Sequence, residues 1–302
     1  MYNSNNEFFM SPKNDYVFKK IFGDENNKDI LSSFLSCVIN EQINDVSILN
    51  NEITKENTAD KKSILDIRAT INDGVQIDIE IQLSRTIYMP ARSLYYWSKI
   101  YMEQLQIGQI YKKLNRTICI NILDFISTES QKYHSIYRLK ETEENFELTN
   151  LMEIHFIEIP KLKGYEKNDM LSQWINFINA DSREELKKMA IVNKNIDKAF
   201  DILNVMSQNK EERAAYLSRE MALHDEVTKL EEALQEGRQE GRQEGRQEGR
   251  QEGLEEGRQE GLEEGEKKKA LEIAKNLLDI LDNETIAIKT GLTLDEIENL
   301  RK

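Results

Sequence analysis

The chain has 302 residues and a net charge of −14, with 55 Asp and Glu against 41 Lys and Arg. A length of this order accommodates one sizeable domain with accessory elements, or two domains. Residues 210–302 hold 25 acidic and 16 basic side chains and the remainder is close to neutral, so no broad basic surface announces nucleic-acid binding, and phosphate contacts would have to come from a local cluster.

In chain order, Asp15 and Lys19 stand four apart near the first helix, either as a simple ion pair or as groups at the rim of a site. Residues 26–41 carry Ile30, Leu31, Phe34, Leu35, Val38 and Ile39 at helical spacing and predict a core-facing helix. VSILNNEI at 46–53 reads as a first strand. The next segment, ILDIRATINDGVQIDIEIQ at 64–82, reads as a hairpin. Leu65, Ile67, Ala69 and Ile71 alternate with Asp66, Arg68 and Thr70, and Val75, Ile77, Ile79 and Ile81 alternate with Gln76, Asp78, Glu80 and Gln82. Each strand is therefore expected to have one buried and one polar face. A three-residue loop, Asn72-Asp73-Gly74, sets apolar opposite apolar, whereas a two-residue turn would set every Ile against a polar partner. In that register Thr70 faces Gln76, Arg68 faces Asp78 as a salt bridge, and Asp66 faces Glu80. Directly opposed Cβ atoms lie roughly 4.5–5.5 Å apart, where like charges destabilise a sheet. Two readings answer this: a divalent cation between hard carboxylate oxygens, or a solvated acidic edge.

Pro90 opens an amphipathic helix over 90–107 on which Arg92, Tyr96 and Lys99 share one face. TICINILDF at 117–125 predicts a buried strand, and 133–139 and 152–159 predict two more. Residues 166–234 are polar with helical periodicity and read as a helical appendage, with Trp174, Ile175, Phe177 and Ile178 as its docking face. From Glu236 to Gly265 a tetrapeptide repeat places Gly at every fourth position. It is a poor helix by itself, because each Gly costs about 1 kcal/mol against Ala and like charges recur four apart. A solvated spacer and an oligomerising rod both fit it. Residues 267–302 predict three short helices, with Gly291 as a C-cap and Thr293 with Glu296 as a capping box. Asp295, Glu296 and Glu298 make a poor surface for phosphates, so this segment reads as a protein-docking bundle rather than a DNA-reading helix-turn-helix.

Other chemistries leave no signal. Cys37 and Cys119 are far apart in apolar segments, without a CxxC pair, and are expected to be reduced and buried; His134, His155 and His224 are scattered. The N-terminal residues lack a basic region followed by an apolar run, and no apolar stretch approaches the roughly 18 residues of a membrane span. A cytoplasmic protein without membrane contact is the expectation.

Asp66, the hairpin and Glu80-Ile81-Gln82 together resemble the core of the PD-(D/E)XK nuclease superfamily, with Gln in place of its usual final Lys. SPKNDYVFKKIFG at 11–23, ILSSFL at 30–35, ILDIRA at 64–69, IEIQ at 79–82, RSLYYWSKIYMEQLQIGQIYKKL at 92–114, INILDF at 120–125 and IHFIEIPKL at 154–162 resemble, in order, the Rpn family of recombination-promoting nucleases, also labelled putative transposases. The resemblance covers about two thirds of the chain. It implies an α/β, restriction-endonuclease-like core, a central mixed sheet flanked by helices, over 1–165, followed by the helical segment 166–234, the repeat at 235–266 and a small helical segment at 267–302. It also implies a Mg²⁺-dependent DNA endonuclease in which Asp66, Glu80 and the Ile81 carbonyl hold one or two ions, Gln82 takes the place of the lysine, and Arg92 or Lys99 contacts phosphate. The substitution at Gln82 keeps open a cleavage-deficient accessory role in DNA binding or transposition, and the repeat keeps open an oligomerising interaction protein.

Overall fold

Alternating β-branched residues build Val46–Leu49 (β1), Ile67–Ile71 (β2) and Val75–Gln82 (β3) into an antiparallel meander. The computed structural model describes residues 8–51, 65–162, 169–191 and 193–301; the expected end of the first strand, 52–53, lies outside them. β2 and β3 pair in the register that the three-residue loop demands, with Ile71 opposite Val75, Thr70 opposite Gln76, Arg68 opposite Asp78 and Ile67 opposite Ile79. Gly74 sits at φ +92°, and an added Cβ there would come within 2.8 Å of the Asn115 amide. Thr117–Leu123 (β4) runs parallel to β3. His134–Tyr137 (β5) forms the far edge, antiparallel to Met152–Glu158 (β6), which is parallel to β4. The sheet order is β1-β2-β3-β4-β6-β5. Every residue of β4 is buried, as expected of a central parallel strand covered on both faces.

Helices cover the two faces unequally. Asp15–Phe22 (α1) and Lys28–Ile39 (α2) pack on one face, and Met89–Glu103 (α3), the crossover between β3 and β4, packs on the other. Met170–Ile178 (α4), Arg183–Ala190 (α5) and Lys194–Gln208 (α6) join α1 and α2. Trp174, Phe22 and Phe34 stack edge to face at the centre of this larger core. The predicted appendage is thus corrected: Trp174, Ile175, Phe177 and Ile178 are fully buried in the main core itself. The expected boundary at 165/166 lies outside the described residues. On the opposite side Met89 and Ile100 of α3 pack on Cys119, Leu123, Ile154 and Phe156. α3 ends at Glu103, short of the predicted 107. Cys119 is buried as expected, whereas Cys37 is only half-buried.

The chain divides into two compact units, up to Val227 and from Thr228 onward. Lys210–Leu277 (α7) is helical throughout, including the repeat. Helix formation is limited by nucleation, and once started a helix adds one hydrogen bond per residue fixed. Helical sequence flanks the glycines on both sides, so the repeat has only to propagate. The repeat's side chains are exposed, and a Cβ built on any of its glycines meets nothing within 4 Å. In the second unit Ala274, Ile286, Leu292 and Ile297 form a small core with Asn283–Thr290 (α8) and Leu294–Arg301 (α9). Gly291 caps α8 at φ +72°, and the Thr293–Glu296 box closes in both directions, at 3.0 and 3.3 Å. The first of the three predicted C-terminal helices is merged into α7. Among the described residues no helix is long and apolar enough to cross a membrane.

Replacing Gly241, Gly245 and Gly249 by Ala should raise the far-UV helical signal and thermal midpoint of the repeat, by about 0.5–1 kcal/mol per site. Sedimentation of the same variant separates the two readings of the repeat. A spacer leaves the assembly state unchanged, whereas a rod whose partner helix approaches along the glycines loses association as helicity rises.

Candidate active site

The carboxyl-bearing side of β3 faces α3 and is not a solvated edge. Asp78 and Glu80 are 1% and 3% exposed. The expected Arg68–Asp78 salt bridge is replaced: Arg68 turns to Glu103 on α3 at 2.8 Å, while Asp78 accepts a hydrogen bond from the Cys119 thiol and its Oδ1 has no hydrogen-bond partner. The α3 crossover, absent from any local strand pattern, supplies Arg68 with a carboxylate on the helix above the sheet. Burial and the nearby Asp66 carboxylate raise the proton affinity of Asp78. Burial, then Asp78 and Asp66, hold the Glu80 carboxyl well above the usual carboxylate range.

Asp66 lies in the bend before β2, one residue outside the paired register, and interlocks with β3. Its Oδ2 accepts from the Ile81 N–H at 2.9 Å, and its own N–H donates to Glu80 Oε1 at 3.1 Å. Asp66 and Glu80 are therefore brought together, and the outer oxygen of each faces a cation. Lys19 Nζ of α1 is 2.8 Å from Asp66 Oδ1, and Arg92 Nη2 of α3 is 3.0 Å from Glu80 Oε2. Arg92 Nη1 also donates to Gln82 Oε1 at 3.0 Å. Because arginine only donates, this contact orients the Gln82 amide with its oxygen toward Arg92 and its NH₂ away from it. The Arg92 guanidinium lies 5.2 Å over the Tyr96 ring. Lys99 does not join this group: it lies over Tyr95, at 5.8 Å, and is not a lining residue of the cleft beside the carboxylates. It is two helical turns beyond Arg92, on the part of α3 that has left the site.

That cleft, of about 750 Å³, is lined by Asp15, Lys19, Asp66, Ile81, Gln82 and Arg92, and on its other side by α7 residues including Arg219. Of the two readings of Asp15 and Lys19, the geometry is that of the rim: both line the cleft, and instead of pairing with each other Lys19 pairs with Asp66 and Asp15 with Arg219 Nε at 2.7 Å. Asn121 and Ser93 were not singled out by the sequence reading. Buried Asn121 of β4 donates to Ser93 Oγ of α3 at 2.8 Å and to the His155 carbonyl at 3.0 Å, which fixes the rotation of α3 next to Arg92. A lone amide within TICINIL was the available signal. Among the described residues no group of three or more His, Cys, Asp or Glu side chains is placed to hold a metal ion.

A second polar cluster lies on β5 and β6. His134 Nε2 and His155 Nδ1 are 2.9 Å apart, and His155 Nε2 is 2.6 Å from Glu153, which also pairs with Arg116 and Arg138. The histidines are thus adjacent in space but structural. Burial opposes the Glu153 charge, yet the His155 hydrogen bond and the two guanidinium groups outweigh it and hold the carboxyl at about 2; burial and His155 push His134 down to about 4.

A mixed sheet flanked by helices, with a parallel pair at its centre and two carboxylates meeting at the end of the hairpin, is the restriction-endonuclease-like architecture of PD-(D/E)XK proteins. The family model described as PD-(D/E)XK nuclease family transposase matches residues 12–233, and the chain belongs to this family. No curated protein and no solved structure matches it.

Two outcomes follow from this geometry. Gln82→Lys should lower the thermal midpoint by the equivalent of roughly 1 kcal/mol, and by more than Gln82→Met, since an ammonium would meet Arg92 where the amide oxygen now accepts from it. On acidification the unfolded chain protonates His134 near pH 6.5 while the folded chain does not until about 4, and Glu153 follows between 4.5 and about 2. In both cases the unfolded state binds more protons, so these two groups withdraw stability as the pH drops from 6.5, whereas Asp78 and Glu80, whose proton affinity is raised in the folded state, add stability over the same fall. The melting temperature of His134→Gln relative to wild type should therefore rise as the pH drops from 6.5 to about 4, in melting curves of both proteins taken across that range.

Proposed function

We propose that the protein is a metal-dependent endonuclease that hydrolyses phosphodiester bonds of DNA, with Asp66, Glu80 and the Ile81 carbonyl as ligands of Mg²⁺. The observation that carries this reading is the interlocked Asp66–Glu80 pair on a PD-(D/E)XK sheet. The donors suit a hard cation. All are oxygens, no His or Cys joins them, and two carboxylates completed by water and substrate phosphate is a common way of holding Mg²⁺. The proton affinity of the buried Glu80 points the same way, because a cation between the carboxylates would relieve the repulsion that raises it. When bound, the ion supplies a Lewis acid for a phosphate oxygen and acidifies water at neutral pH.

The remaining steps belong to the chain's own groups. Asp66 and Glu80 are held ready by each other's strand, so their oxygens need little rearrangement. Lys19 and Arg92 already stand against the outer oxygens, as positive groups that would also reach a phosphate bound beside the carboxylates. Arg92 suits this because its planar fork matches phosphate oxygens. Gln82 steadies Arg92 through its carbonyl and leaves its NH₂ to donate to phosphate or to the attacking water. The positive charge that a lysine at position 82 would bring is supplied by Lys19 and Arg92.

A second reading, a DNA-binding or transposition accessory that does not cut, is favoured by Gln82 together with the occupation of both carboxylates by protein cations. Self-association through the repeat is compatible with either.

Plasmid nicking by the purified full-length protein, with and without Mg²⁺, tests the proposal. Cutting should require the divalent ion, and Asp66→Asn and Glu80→Gln should each abolish it while circular dichroism shows folded protein. Equal nicking by wild type and Asp66→Asn would remove the catalytic assignment. Retained DNA binding without nicking by any folded form would establish the accessory reading.

A further inference from the structure

The second wall of the cleft comes from the first turns of α7, about 200 residues away in sequence from α1. Residues 210–227 belong to the same compact unit as the sheet, and the family match continues through them to residue 233. Their attachment is largely polar. Glu212 accepts from Tyr16 and Lys20, Asn14 donates to Glu220 at 2.7 Å, and Arg219 pairs with Asp15; Tyr216, buried edge-on against Phe8, is the apolar anchor. The face that α7 turns to the cleft carries the small residues Ala215, Ser218 and Ala222, which leave a channel beside Arg219. Across that channel stand Lys19 with Asp66, and Arg92 with Gln82. Three cations from three separate elements therefore converge on one cleft, each facing a carboxylate (Asp66, Glu80 and Asp15), with Glu226 of α7 also in its lining. This is the local cluster that phosphate contacts require when the overall charge offers none.

We infer that Arg219 is a phosphate-binding residue for the nucleic-acid strand in the cleft, held in place by Asp15 until a backbone phosphate takes over. The inference rests on the nuclease reading of the site. A guanidinium has five donors, more than one carboxylate engages, and Arg219 is 43% exposed, so a phosphate can reach it without α7 moving. The alternative is a plain latch between α7 and α1. The two roles differ in what Asp15 does: a latch needs Asp15 as much as Arg219, whereas for a phosphate site Asp15 is a competitor.

The test is fluorescence anisotropy of a labelled DNA duplex with the full-length protein in metal-free buffer over a range of salt concentrations, beside melting curves. Arg219→Ala should weaken binding several-fold at low salt and reduce the slope of log K against log salt by about 0.9, the value for one phosphate contact. Arg219→Lys should restore the slope. Asp15→Asn should bind DNA at least as tightly as wild type, although it lowers the melting temperature as Arg219→Ala does. Equal weakening by Asp15→Asn and Arg219→Ala, or an unchanged slope in Arg219→Ala, would overturn the inference and leave the nuclease reading intact. Absence of DNA binding and of nicking by the wild type would overturn both.

Discussion

The arrangement at the cleft depends on one contact, that of Arg92 with Glu80. A carboxylate 3% exposed beneath a helix is costly unless something positive and correctly oriented reaches it. α3 provides this. Its start at Met89-Pro90 places Arg92 within the first turn, Ser93 is fixed by Asn121 of β4, and the guanidinium spans Glu80 and Gln82 at 3.0 Å each. The same packing turns Arg68 away from its cross-strand partner to Glu103, which leaves Asp78 as a second buried acid beside Glu80. Satisfying one buried charge has thus set the ion pairing of the whole α3 face and leaves a surplus of carboxyl groups beneath the helix.

What could be read from the sequence is what short-range spacing encodes. The hairpin register, the loop with Gly74 at its third position, the span of α2 and the three later cap residues Gly291, Thr293 and Glu296 all follow from periods of two or 3.6 and from local turn chemistry. Asp66 and Glu80 could be singled out for the same reason, since their opposition is a matter of counting from the loop. What was not legible depends on contacts between distant segments. An alternating strand does not reveal that its polar face will lie under a crossover helix, so a solvated acidic edge stays open beside a cation site. The polar periodicity of 166–208 concealed that Trp174 and its neighbours complete the main core. Arg219 carried no mark of a site residue, because its partner Asp15 is 204 positions away. The repeat read by itself leaves spacer and helical rod both open, whereas propagation from flanking helix removes the nucleation cost.

The cleft also divides its labour by element. The strands contribute carboxylates, whose positions are tied to the backbone by Ile81 and Asp66 N–H groups. The helices contribute cations on longer, more adaptable side chains, one each from α1, α3 and α7. Acidic groups are thereby tied to the backbone, while the basic groups sit on side chains with more rotatable bonds, the division that the proposed phosphate contacts would use.

The tetrapeptide helix has a consequence of its own. Most of its units are identical, so a helix laid along those units would meet the same surface after every slide of four residues, and their glycines and charges cannot choose among these alignments. Leu254 and Leu262 are the exceptions, both largely exposed and eight residues, or two units, apart. A slide of one unit would strand both leucines opposite polar partners, and a slide of two would rescue only one. Two leucines in thirty residues, each followed by a glutamate in place of glutamine, therefore carry the information that tells one alignment from the next, and a change in the number of units between them would rewrite it.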